Sequence, residues 1–463
     1  MKSTYPGDLV LTASWVLPIS SPPIRDGAVR VGDGRILRVG TVQEVLRHTD
    51  ASREAPAAPQ APVTRIDLPE AALLPGFVNV HTHLELTLLR SYCEGLDFFS
   101  WIRRLTEAKY GRLGLEDYRT SVRWGALEAI RSGVTTVGDA GDSGQVLDGL
   151  LESGLRAIAY QEVFGPDEKD CRAKLEELQA SIDRLQSRPN SRVRPGVSPH
   201  APYTVSEPLF RGVKDLALAR QLPLSIHVGE SRAERLLVRD GQGPFAEFLR
   251  SRGIPWKARG ISPVAYLADL GVLEARPLLV HAVDADSRDV QLIQSAGASV
   301  AHCPKSNAKL GHGVAPLLEF LEAGIKTGLG TDGAVSNNGC DFLEEARTAV
   351  LFQRARAPAD FKNLDARAML RMMTLGGAEA LGLESEIGSL EPGKFADLTA
   401  VSLSAPSLKP SHDPETSIIF SASGRDVILT LVEGQVLFRD GKVKTLDEEG
   451  LRGRLEEAAA KLK

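Results

Sequence analysis

The chain has 463 residues, 43% hydrophobic and 25% charged, a composition ordinary for a soluble globular protein and long enough for a large core and more than one domain. A formal net charge of −5 offers no basic stripe to nucleic acid, and no apolar run approaches a membrane span. Four cysteines (Cys93, Cys171, Cys303 and Cys340) lie far apart without a CxxC. Each reads as a small buried hydrophobe in a reduced, cytoplasmic protein.

The opening MKSTYPGDLVLTASWVL makes a poor signal peptide and a good first strand. Residues 8–70 read as all-β, with LVLTASWVL and GAVRVGDGRILRVG broken by Gly/Asp turns. The Ala/Pro-rich stretch 51–64 reads as an exposed loop, because it buries too little apolar surface. From about residue 76 the rhythm becomes strand then helix. Eight apolar strands are predicted: FVNVH, VTTVGDA, RAIAYQEV, VRPGVSPH, LPLSIHVGE, LLVHAV, ASVAHCP and KTGLGTD. Eight strands with helical crossovers predict an α/β protein built on a (β/α)₈ TIM barrel. After about 388 the β rhythm returns. The expected organisation is a composite β-sandwich from 1–70 and 388–445, a barrel over 71–387, and a charged C-terminal helix over 446–463.

In PGFVNVHTHLELT, His81 and His83 stand two apart at a strand end, so both imidazoles turn to one side and form a divalent-metal half-site. Six of the nine histidines (His81, His83, His200, His227, His281 and His302) fall at the carboxyl ends of predicted strands, the face where barrel active sites assemble. Asp332, in GLGTDGAVSNN, can join His81, His83 and His227. Three imidazoles and a carboxylate suit Zn²⁺, with Fe²⁺ the other candidate. An ion so held brings the pKa of a coordinated water from ~15.7 towards ~7. Taken alone, Asp332 reads equally as a turn residue, Glu230 as a first-turn helix acid and His281 as a core histidine. Together they offer a metal set, a general base three residues past His227, and a polarising imidazole at the sixth strand. The fourth strand ends on His200 with no Lys to bridge two ions, so one ion is expected. The PCxxC of zinc cytidine deaminases is absent, which excludes that fold.

The segments HTH, SPHAPYT, HVGES, VHAV, HCPKSNAKLGHGVAP and GTDGAVSNN follow one another in an order that resembles the amidohydrolase superfamily, most closely its branch of cyclic-amine deaminases and triazine chlorohydrolases. Within that branch the chain looks like the 5-methylthioadenosine/S-adenosylhomocysteine deaminases and the aminodeoxyfutalosine deaminases. The resemblance implies a mononuclear site held by His81, His83, His227 and Asp332, with Glu230 as proton shuttle and His281 beside the attacking water. It also places His200 at a substrate-contacting position.

The segment after HTH departs from that pattern. LELTLLRSYCEGLDFFSWIRRLTEAKYG carries acids at unfamiliar spacing, Glu85 and Glu107. Trp101, in FFSWI, offers an aromatic wall for a flat ring, and Arg103 and Arg104 offer charge to an acidic substrate group. The expected activity is hydrolytic deamination of an aminated N-heterocycle, an adenine-nucleoside-like small molecule. A chlorohydrolase or amide hydrolase would use the same ion on another leaving group. A non-catalytic metal-bearing protein should lack Glu230 and His281, which are both present. The partner is the small heterocycle, with neither nucleic acid nor membrane, and a homo-oligomer is an open option.

Overall fold

A computed structural model describes residues 7–50, 63–188, 190, 192–360 and 362–463; residues 51–62, most of the Ala/Pro-rich stretch, lie outside the described residues. The first four strands are β1 (Leu9–Val16), β2 (Ile24–Gly32), β3 (Arg35–Thr41) and β4 (Thr64–Pro75). The next eight are β5 (Phe77–Thr82), β6 (Val134–Gly141), β7 (Arg156–Val163), β8 (Val193–Pro199), β9 (Ser225–Val228), β10 (Leu278–His281), β11 (Ser299–His302) and β12 (Thr327–Leu329). They fall on the eight predicted segments. The last four are β13 (Leu398–Ser402), β14 (Val427–Val432), β15 (Gln435–Arg439) and β16 (Lys442–Val443).

β5 to β8 pair in parallel as one row, and β9 to β12 as another. Two parallel bridges join the rows, Thr82 with Asp332 and Val197 with Leu224, so the eight strands close into the barrel. Inward-facing Val78, Val80, Ile158, Tyr160, Leu278 and Val280 fill its interior. Helices cover the outside. In Leu115–Arg131, for example, Val122, Ala126, Leu127 and Ile130 are buried at helical spacing. The C-terminal helix Glu448–Ala460 packs on that helix, burying Leu451 and Ala458.

Strands from both chain ends form one eight-stranded sheet in the order β16-β15-β14-β13-β4-β1-β2-β3. It folds back on itself where Arg35 bridges to Phe395, so Val29 and Val31 share a core with Leu429, Leu431 and Val436. The long strand β4 runs straight into β5 through Gly76. A Cβ there would lie 2.2 Å from the Thr135 side chain, so only glycine allows this approach.

A buried ion cluster ties sheet to barrel. Arg156, at the start of β7, donates through Nε to Asp397 Oδ2 at 2.8 Å and through Nη2 to Glu433 Oε1 at 2.9 Å. Its guanidinium lies over the Phe395 ring, 4.3 Å from the centroid. Arg156→Met should destabilise the protein by about 3–5 kcal/mol, because it leaves Asp397 buried and unpaired. Urea unfolding measures this, and a loss below ~1 kcal/mol would reduce the cluster to the worth of a surface pair.

Candidate active site

The carboxyl ends of the barrel strands bring His81, His83, His227 and Asp332 together. One ligand atom from each lies within 4.8 Å of the others. His227 Nε2 is 3.2 Å from both His81 Nε2 and His83 Nε2, and Asp332 Oδ1 is 3.5 Å from the same two nitrogens. All four side chains are buried.

Their partners fix which atoms face inward. His83 Nδ1 meets the Ala140 carbonyl at 2.9 Å, and His227 Nδ1 meets the His200 carbonyl at 3.1 Å. A carbonyl only accepts, so these Nδ1 atoms carry the protons and the Nε2 lone pairs point at one another. Lone pairs at that separation repel unless a cation sits between them. Burial holds His81 down at about 4 and pushes His83 and His227 below the ordinary imidazole value, which favours the neutral, ligating form. Asp332 Oδ2 accepts from the Ser306 and Ser336 hydroxyls, each at 2.6 Å, leaving Oδ1 for the histidines. The donor set therefore fits a divalent ion.

Glu162, His200 and His227 form a second group within 4.8 Å. His227 has no nitrogen to spare for it, since one is on the His200 carbonyl and the other faces the first group. The site thus suits one ion, not two.

Glu230 lies just past β9. Its Oε1 is 3.6 Å from His281 Nε2 and 3.6 Å from His312 Nε2, and the Tyr203 hydroxyl reaches Oε2 at 3.5 Å. His281 Nδ1 is 2.8 Å from Asn307 Oδ1, which turns Nε2 towards Glu230. His281 has φ +74 and Asp332 φ +57, both in the left-handed region that non-glycine residues seldom adopt. Their backbones are bent at the point where their side chains meet the site.

The sequence-predicted substrate residues divide. His200 sits beside the cluster, its ring 4.7 Å from those of His227 and Phe164, with Nδ1 on Thr204 Oγ1 at 2.8 Å. Arg103 and Arg104 are not brought to the site. The Arg103 side chain is 72% exposed and pairs with Glu107 one turn on, while Arg104 caps the Tyr92 ring at 4.5 Å. Trp101 packs against the cluster of Leu86, Leu88 and Ala108. The aromatic that reaches the site is Phe98, one turn earlier, its ring edge-on to His312 at 4.5 Å and near Tyr203 and Phe245. The helix Phe98–Gly111 turns Phe98, Phe99 and Ile102 to the cluster of Tyr203 and Phe245, and Trp101 and Leu105 to that of Leu86 and Leu88. Sequence reasoning also missed His312, Tyr203 and the two serines on Asp332. The motif HCPKSNAKLGHGVAP contains Ser306 and Asn307, on the short helix Pro304–Lys309, and His312, in the loop beyond it, and none of these positions continues the strand periodicity.

The sequence profile of the Amidohydrolase family matches residues 72–437. The chain belongs to that family. It is 35% identical to a 5-methylthioadenosine/S-adenosylhomocysteine deaminase of Moorella thermoacetica over 96% of this chain and 97% of that one. It is 33% identical to a 5'-deoxyadenosine deaminase of Methanothermobacter thermautotrophicus over 95% of each. Among solved structures, an adenosine deaminase from Xanthomonas campestris with bound zinc superposes with a TM-score of 0.84 at 29% identity, covering 99% of both chains.

The purified protein should hold about one divalent ion per chain, and His83→Ala should remove most of it. Ser306→Ala should weaken metal affinity by about 10–100-fold, as loss of an outer partner does. Chelator competition with elemental analysis checks both; two tightly held ions would contradict the single-site geometry.

Proposed function

We propose that the protein is a metal-dependent hydrolytic deaminase of adenine-nucleoside-like small molecules, of the methylthioadenosine, S-adenosylhomocysteine or aminodeoxyfutalosine type. The observation that carries this reading is Glu230: a buried acid flanked by His281 and by His312, whose ring meets Phe98 edge-on, beside a three-histidine, one-aspartate cluster. The deaminases among its relatives and the zinc-bound adenosine deaminase of like fold support it.

A divalent ion held by His81, His83, His227 and Asp332, expected to be Zn²⁺, supplies Lewis acidity that makes water a nucleophile at neutral pH. Burial opposes ionisation of Glu230, but His281 and His312 outweigh it and hold the carboxyl below its usual value. Glu230 is therefore ionised near neutral pH and able to take a proton. The water oxygen bonds to the ring carbon that bears the exocyclic amine. Glu230 takes one proton from that water and returns it to the neighbouring ring nitrogen. The other proton departs with the amine as ammonia, and an oxo product remains. His281, oriented by Asn307, faces the oxygen on which charge develops. Phe98 and Tyr203 offer flat apolar surface to the ring.

Glu230→Gln should keep the metal and most substrate affinity while cutting turnover by ~10²-fold or more. Ammonia release from the zinc-loaded protein, tested on methylthioadenosine, S-adenosylhomocysteine, adenosine, aminodeoxyfutalosine, guanine and cytosine, checks the reading. Near wild-type turnover in the Gln variant would move the proton to another residue. Chloride release from a chlorinated heterocycle, with no ammonia from any amine on the panel, would replace the deaminase with a chlorohydrolase.

A further inference from the structure

The general base is held loosely at its tip. Glu230 Oε1 lies 3.6 Å from His281 Nε2 and from His312 Nε2, and the Tyr203 hydroxyl is 3.5 Å from Oε2. These separations exceed those of good hydrogen bonds. The direction of the carboxylate is therefore set by the main chain that carries it. Gly229, just before it, has φ +62. Apart from chain neighbours, a Cβ there would meet nothing nearer than Ala282 Cα at 3.7 Å, so packing does not pin the turn. Hydrogen bonds hold it instead.

Glu234, in the short helix Arg232–Arg235, turns back over this stretch. Its Oε1 accepts from the Gly229 amide and its Oε2 from the Glu230 amide, each at 2.9 Å. One carboxyl thus takes two consecutive N–H groups, the second belonging to the general base itself. The local sequence explains the reach. The Ser231 hydroxyl accepts from the Glu234 amide at 3.2 Å, as in a capping box, but the acid passes the cap residue and takes the two amides before it. On the other side of the turn, the Gly229 carbonyl accepts from the Asp284 amide at 3.0 Å. Glu234 is buried, and its neighbour Arg235 pairs with Asp284 instead. Burial pushes the Glu234 carboxyl up to about 8, against the pull of the two amides. An acid kept in the interior at that cost supplies what an apolar residue of its volume cannot, two acceptors at the spacing of successive amides.

We infer that Glu234 is a positioning residue for the proton transfer: it fixes the main chain of Gly229 and Glu230 and so aims the Glu230 carboxylate at the reacting water and the ring nitrogen. Glu234 does not itself exchange the proton. The inference rests on the deaminase reading and deepens it by naming what keeps the base on target. Misplacing a reacting group by about 1 Å can cost ~10²-fold in rate.

The test is a double-mutant cycle on ammonia release, with the panel amine that wild type turns over fastest. Glu234→Met, unbranched and of like length but without acceptors, should lower kcat by ~10²-fold, with KM within about threefold and the metal content unchanged. Glu234→Gln keeps one carbonyl acceptor and should lose ~10-fold. Added to Glu230→Gln, Glu234→Met should change kcat by less than about threefold, because no carboxylate remains to be aimed. An acid that merely stabilises the fold would cost the same factor in both backgrounds, and that result overturns the inference. So does a Glu234→Met variant with unchanged kcat, with a raised KM alone, or without its metal. If Glu234→Met does not fold, Glu234→Gln taken through the same cycle decides. If Glu230→Gln turns over at the wild-type rate, the inference falls and the deaminase reading stands. If wild type releases ammonia from no amine on the panel, both fall.

Discussion

Closure of the barrel is the constraint on which the site depends. The two seams between the four-stranded rows are also where the ligands meet. At one seam the Asp332 amide donates to the His81 carbonyl at 3.1 Å, so the last strand is registered directly against the first. At the other, the His227 amide donates to the His200 carbonyl at 2.9 Å, and the ring of His227 bonds the same carbonyl. The metal cluster is thus assembled by main-chain hydrogen bonds across the seams. Residues 250 positions apart are held by the same geometry that completes the ring.

Around that frame, each functional side chain is turned by a partner on a different element. Ala140 of β6 orients His83, the helix Pro304–Lys309 orients Asp332 through Ser306, and Asn307 of the same helix orients His281. Gly330 keeps this crowding possible: a Cβ there would lie 2.9 Å from Cys303 Sγ and 3.0 Å from His81 Cβ. Preorganisation of this kind means the groups need not rearrange when charge develops during reaction.

Much of this was legible in the sequence because strand periodicity is a strong signal. His81 and His83 two residues apart must share a side, and an acid or imidazole ending an apolar strand must reach the barrel mouth. The eight strand segments could be read the same way. The helix after the first ligand strand could not, because Phe98 and Trp101 are three apart and differ only in helical phase, which tertiary packing decides. The arginines that look available in that sequence point to solvent for the same reason. Glu162 was hidden inside RAIAYQEV, where a polar residue in an apolar run reads as an edge rather than an inward-facing group. His312 stands in a loop, and only the three-dimensional path of the chain brings it to Glu230.

The terminal sheet sets an order on synthesis. β4 is flanked by β1 on one side and β13 on the other, and the whole barrel lies between β4 and β13 in the chain. While the ribosome makes the barrel, β4 has one unpaired edge, rich in Leu and Ala, that cannot be covered until the last strands emerge. An open apolar edge is a template for pairing with another nascent chain. Nothing in the barrel stands in for β13 as the partner of that edge, and a stop codon anywhere before β13 would leave it permanently unpaired.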